Sequence, residues 1–67
     1  MLKRYKVAQD RTGTWGILDR VQCKFAPFGR KRLAWRVAVR TVLAFDVGDM
    51  NPWDLTWVLW KPRGSAR

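Results

Sequence analysis

The sequence predicts an α+β domain: an antiparallel β-hairpin or three-stranded sheet packed on one helix, with a short Trp-rich C-terminal element. Three observations predict it. Apolar and polar residues alternate over Lys3 to Gln9 and again over Thr14 to Asp19, on either side of a turn signal. The stretch Arg30 to Phe45 carries apolar residues at helical spacing and is longer than an ordinary strand. A chain of 67 residues makes one domain, expected over 1–61, with residues 62–67 as a flexible basic tail.

In the first strand Tyr5, Val7 and Gln9 share one side, and Arg4, Lys6 and Ala8 the other. Asp10-Arg11-Thr12-Gly13 reads as a turn, because an Asp side chain can hydrogen-bond the backbone just ahead of it and Gly accepts positive φ. Trp15, Ile17 and Asp19 then fall on one face of the second strand. Val21 to Phe25 reads as a short third strand. Ala26-Pro27-Phe28-Gly29 is expected to interrupt it, since Pro cannot donate to a ladder.

Arg30 to Phe45 admits two geometries. On a helix, Leu33, Ala34, Val37, Ala38, Thr41, Val42 and Phe45 form a broad apolar face. On a strand, Trp35, Val37, Val39, Thr41 and Leu43 share a side, in keeping with the β-branched content. Length favours the helix, and both geometries bring Arg32, Arg36 and Arg40 together. Beyond the break at Val47-Gly48-Asp49-Met50, Asn51-Pro52-Trp53-Asp54 looks like a second helix start, with Pro at the first position and Asp54 near the positive end of the dipole. Trp53, Trp57 and Trp60 would then share one face. A strand from Leu55 to Trp60 is the competing reading.

So short a chain buries only about 60% of the surface it exposes unfolded, so its five tryptophans and three phenylalanines must supply much of the core. Fourteen Lys and Arg face five Asp, for a net charge of +9, and there is no Glu and no His. No acid occurs between Asp19 and Asp46. A block of like charge repels itself when folded, which a polyanionic partner would relieve. An Arg-rich composition set by a GC-rich genome is the plain alternative, but such chains normally carry many acids as well.

The same inventory excludes much. No apolar run follows the basic start to make a secretory signal, and Arg36 and Arg40 break the longest apolar stretch. Cys23 is the single cysteine, which fits a reducing cytoplasm and excludes an internal disulfide. One Cys and no His leave no zinc or transition-metal site, and no cofactor is expected. Five scattered Asp supply no acid–base pair, so the chain is not expected to be an enzyme or to take a small-molecule substrate.

The basic residues are the main functional signal. Arginine forks pair bidentately with phosphates and guanine edges. Arg30, Lys31, Arg32, Arg36 and Arg40 form the strongest candidate nucleic-acid-binding set; Lys3, Arg4 and Lys6 form a second, and Arg20 and Lys24 would bridge the two. Lys61, Arg63 and Arg67 read as solvated charges. Trp15 and Trp35 read as core. Trp53, Trp57 and Trp60 are split between core and a protein interface or stacking surface, and an interface there would allow a homodimer.

Tyr5-Lys6-Val7, the turn at Asp10 to Gly13, Trp15-Gly16-Ile17-Leu18-Asp19 and the Ala34- and Ala38-bearing helix resemble the strand–strand–helix layout of small phage-encoded orphan proteins. Over residues 3–45 they also resemble, more loosely, the three-stranded sheet plus helix of AP2-type and integrase arm-binding domains. That resemblance implies a sheet entering the DNA major groove, with Arg4, Lys6, Arg20 and Lys24 ahead of the helix. The Trp-rich segment has no counterpart there. The resulting expectation is a non-enzymatic nucleic-acid-binding accessory protein of the cytoplasm, the host's if phage-encoded. The alternative is a phage-type inhibitor of a host polymerase, nuclease or defence complex, binding an acidic protein surface through its Trp-rich and basic faces. A membrane-surface binder ranks third.

Overall fold

The first turn rests on Asp10. In a computed structural model of the chain, which describes residues 3–61, its Oδ1 accepts from Thr12 N–H at 2.9 Å, Thr14 N–H at 3.0 Å and the Thr12 hydroxyl at 2.7 Å. This closes a hairpin of β1 (Tyr5–Gln9) and β2 (Trp15–Asp19), paired from Tyr5↔Asp19 to Gln9↔Trp15. β3 (Lys24–Gly29) adds to β2, and a two-residue β4 (Val58–Leu59) adds to β3, giving an antiparallel sheet in the order β1-β2-β3-β4. Helix α1 (Arg32–Val47) lies against β1, β2 and β3. The fold is α+β, with three strands before the helix and the short β4 after it. The expected tail at 62–67 lies outside the described residues.

Two sequence expectations need correction here. Pro27 does not end β3, which runs to Gly29. β4 pairs only with Lys24 and Phe25, so the exposed Pro27 lies beyond that ladder, at the edge position that suits a residue with no N–H. The register also shifts between Trp15 and Gly16, which pair with Gly29 and Pro27, so Phe28 is the extra residue of a bulge. The second correction concerns Asn51 to Asp54. It forms a single 3₁₀ turn (Pro52–Asp54) with Pro at its start and no side-chain cap from Asn51, and the chain then turns extended into β4.

Residues directly paired across a sheet share a face. Val7, Ile17 and Ala26 align in register and meet Ala38 of α1; Tyr5, Phe28, Val42, Phe45, Leu55 and Trp57 surround them. Ile17 and Ala38 are fully buried. Burying a side chain such as Ile17 is worth about 1.5–3 kcal/mol. The contact is made largely of small residues, Ala26, Ala34 and Ala38, so the helix sits close to the sheet. Thr41 is buried too, and its hydroxyl donates to Val37 O at 2.8 Å.

Lys6, Leu18, Phe25 and Val58 align on the opposite face. Phe25 is nevertheless buried, because Trp60 closes over it with ring centroids 5.0 Å apart. Trp60 N–H donates to Cys23 O and Arg11 N–H to Lys61 O, which hold the C-terminal segment in place. Helix α1 ends at Gly48, whose φ of 80° is the left-handed conformation that glycine adopts without a Cβ clash. Asp49 N–H and Gly48 N–H then reach back to Ala44 O and Phe45 O.

Candidate anion-binding face

The outward face of α1 is set by what its inward face buries. With Ala34, Ala38, Thr41 and Phe45 turned to the sheet, Arg32, Arg36 and Arg40 recur one turn apart on the solvent side, and all three are exposed. Two ion pairs occur among the described residues, Lys3–Asp46 and Arg4–Asp19, and neither involves these arginines. The helix start adds to the positive field. Lys31 occupies the N-cap position with no side-chain cap bond, and no acid lies in the first turn. Arg30, Lys31 and Arg32 therefore crowd the positive end of the helix dipole, where each cation costs roughly 0.3–1 kcal/mol unless an anion is present. Asp10 lies in the field of Arg30: burial pushes its carboxyl up, but the Thr12 hydroxyl, the Thr14 and Thr12 amides and the Arg30 charge together hold it below the usual aspartate range.

In the second basic cluster Lys3, Arg4 and Lys6 are all exposed, but Lys3 and Arg4 are engaged in ion pairs. Lys3 Nζ sits 3.0 Å from Asp46 Oδ2. Arg4 binds Asp19 with Nε and Nη2, both at 3.1 Å, and its guanidinium lies 5.2 Å from the Tyr5 ring centroid. Asp19 is 4% exposed, and its Oδ1 also accepts from Val21 and Gln22 N–H. Burial pushes the Asp19 carboxyl up, but the Arg4 bond and the Gln22 and Val21 amides outweigh it and hold the group below its ordinary range. The Arg4 guanidinium is pushed up by the same Asp19 contact.

Lys6 is exposed on the sheet face away from α1, in register with Leu18 and Phe25. Lys24 shares a shallow pocket with Arg4, Asp19 and Trp53, and Arg20 is exposed at the β2–β3 turn. Arg20 and Lys24 thus lie at the β2–β3 end of the sheet, while Arg32, Arg36 and Arg40 lie on the outer side of α1.

The tryptophans separate as well. Trp53, Trp57 and Trp60 share no helical face, because only the 3₁₀ turn Pro52–Asp54 forms there and the chain then runs extended. Trp57 packs on the core, 5.9 Å from the Tyr5 ring, with Nε1 donating to Pro52 O at 2.7 Å. Trp60 covers Phe25. Only Trp53 projects, at 79% exposure. Trp15 is half-buried and stands outside the core cluster, and Trp35 is 40% exposed on α1, so neither is the core residue that the sequence suggested.

Sequence reasoning also overestimated the width of the helix's buried stripe. Leu33 and Val37, expected in the core, are 68% and 43% exposed, and Leu43 and Val47 are exposed with them. The small residues explain this. Ala34 and Ala38 bring α1 so close to Ala26 and Gly29 that flanking side chains project past the contact; a Cβ on Gly29 would lie 3.3 Å from Ala34 Cβ. The Ala-x-x-x-Ala spacing was the available signal. Leu33 and Val37 line an open groove beside the end of β3.

Cys23 is exposed, with a left-handed φ of 55°. Among the described residues no helix is long and apolar enough to cross a membrane. No family model matches the chain, and no curated protein or solved structure matches it.

Proposed function

We propose that the chain is a non-enzymatic nucleic-acid-binding accessory protein whose phosphate-binding surface is the outward side of α1 and its N-terminal approach. One observation carries this reading. Arg30, Lys31, Arg32, Arg36 and Arg40 are all exposed, none forms an ion pair among the described residues, and the helix start among them has no side-chain cap. Phosphate oxygens accept from arginine forks and from helix N-terminal amides, so one polyanion satisfies both groups. The surface differs from the one that AP2-type and integrase arm-binding domains imply. Arg4 is engaged by Asp19, and Trp60 covers Phe25 on the sheet face that carries Lys6. Lys6, Arg20 and Lys24 play a secondary, steering part in this reading.

A second reading, an inhibitor of a host protein complex, draws on a separate observation. Leu33, Val37, Leu43 and Val47 stand exposed among the arginines, and Arg beside apolar side chains is a common composition at protein interfaces. Fluorescence anisotropy with labelled duplex and single-stranded oligonucleotides at low salt separates the two. Binding to either oligonucleotide supports the first reading. No binding to either gives first place to the second.

A further inference from the structure

Beside the arginine row lies a surface that shares Arg30 and Lys31 with the phosphate-binding face and adds an apolar floor that phosphates do not use. The end of β3 and the first turns of α1 leave an open groove of about 740 Å³ between them. Pro27, Phe28, Leu33, Ala34 and Val37 make it largely apolar, and Arg30 and Lys31 line it as well. Leu33 and Val37 lie one turn apart on the flank of α1 that faces β3, next to the outward row of Arg32, Arg36 and Arg40.

Its chemistry discriminates among occupants. A nucleic-acid backbone could reach Arg30 and Lys31, but along the floor it would set phosphates against aliphatic side chains that offer no hydrogen bond. A second copy of the chain would bring Arg30 and Lys31 against the same two cations, on molecules that each carry a net charge of +9. A protein segment that combines bulky apolar side chains with carboxylates meets both demands. The apolar groups cover Leu33, Val37 and Pro27, and the carboxylates reach Arg30 and Lys31 at the uncapped helix start, where the dipole favours negative charge.

We propose that this groove docks a short acidic–apolar segment of a partner protein. The proposal goes beyond the nucleic-acid reading, since its apolar floor lies on a neighbouring flank of α1, although Arg30 and Lys31 are common to both. A chain with both surfaces would hold a nucleic acid on the arginine row and a protein in the groove, as an accessory protein does.

The test is an amide chemical-shift titration of the full chain with a synthetic peptide, acetyl-Glu-Glu-Leu-Phe-Glu-Glu-Leu-amide, against the same peptide with Lys in place of Glu. The acidic peptide should shift Gly29, Leu33, Ala34 and Val37, and the basic one should not. The exposed double variant Leu33→Glu, Val37→Glu should stay folded and lose the shifts, and Arg30→Glu should weaken binding about tenfold. No groove shifts with the acidic peptide, or equal shifts with both, overturns the proposal. Shifts of the Leu33 and Val37 methyl groups, which phosphates on Arg30 and Lys31 do not cover, produced by an oligonucleotide alone or by raising protein concentration alone, also overturn it, in favour of a nucleic acid or a second copy. An oligonucleotide that leaves all amides unmoved bears only on the nucleic-acid reading, so the two ideas fail separately.

Discussion

Arg4 and Asp19 face each other at the open end of the first hairpin through two parallel bonds, Nε to Oδ1 and Nη2 to Oδ2, each 3.1 Å long. The same carboxylate takes the Val21 and Gln22 amides, so one acid closes the β2–β3 turn and fixes the chain just before β1. Arg4 is therefore part of the scaffold, and the cations left to meet a partner are those of α1 and its approach.

This arrangement predicts a direction of pH dependence. Asp19 and Asp10 both bind a proton less readily when folded than when unfolded. Their contribution to stability is full above the ordinary aspartate range and is lost as pH falls through that range and below it. Urea midpoints should therefore decline as pH is lowered from about 6 to about 3. Asp19→Asn should flatten part of that decline and cost about 2 kcal/mol at neutral pH, by weakening the Arg4 bond and the turn amides. A variant with unchanged midpoints and unchanged pH slope would refute the assigned role of Asp19.

Gly16 supplies a second prediction. A Cβ there would run into Ala26 O across the ladder and lie 2.7 Å from the Phe25 ring. Backbone cannot give way as a side-chain tip does, so Gly16→Ala should cost about 3 kcal/mol, a large share of the stability of so small a domain. Circular dichroism should show a lowered thermal midpoint. Gly48→Ala, where nothing lies near the added carbon, should cost only the smaller strain of a left-handed alanine.

The C-terminal tryptophans should respond in opposite ways. Trp57→Ala removes a ring packed on Tyr5 and the core, at a cost of about 3–5 kcal/mol, and should unfold the domain. Trp53→Ala removes an exposed ring and should move stability by less than about 0.5 kcal/mol. Equal losses from the two would contradict the separation of the rings.

Local chemistry made the first half of the fold legible in the sequence. The Asp10 turn, the alternation around Tyr5-Lys6-Val7 and Trp15-Gly16-Ile17, and the apolar period of α1 each carry their own signal within a few residues. What was not legible depends on distant partners. Pro27 sits inside a strand because β4, thirty or so positions later, leaves that stretch of edge unpaired. Trp57 and Trp60 diverge because Tyr5 takes one and Phe25 the other. In the candidate site, Arg32, Arg36 and Arg40 were readable from spacing alone, since helix and strand both group them. The engagement of Lys3 and Arg4 was not, because Asp46 and Asp19 reach them only through the tertiary fold. Leu33 and Val37 were assigned to the core for a related reason: periodicity finds an apolar stripe, while the small residues facing it decide how much of that stripe is covered.

The central claim is that the exposed cations of α1 bind phosphates, and the salt dependence of oligonucleotide affinity tests it most directly. Each phosphate neutralised on duplex contributes about −0.9 to the slope of log affinity against log salt. With Lys3 and Arg4 held in ion pairs, the three cations of α1 together with Arg30 and Lys31 should give a slope of about −4.5. Replacing Arg36 and Arg40 together by Ala should make it shallower by roughly two, with little change in sequence preference. A slope unchanged by that double replacement, or no binding at low salt, would contradict the claim.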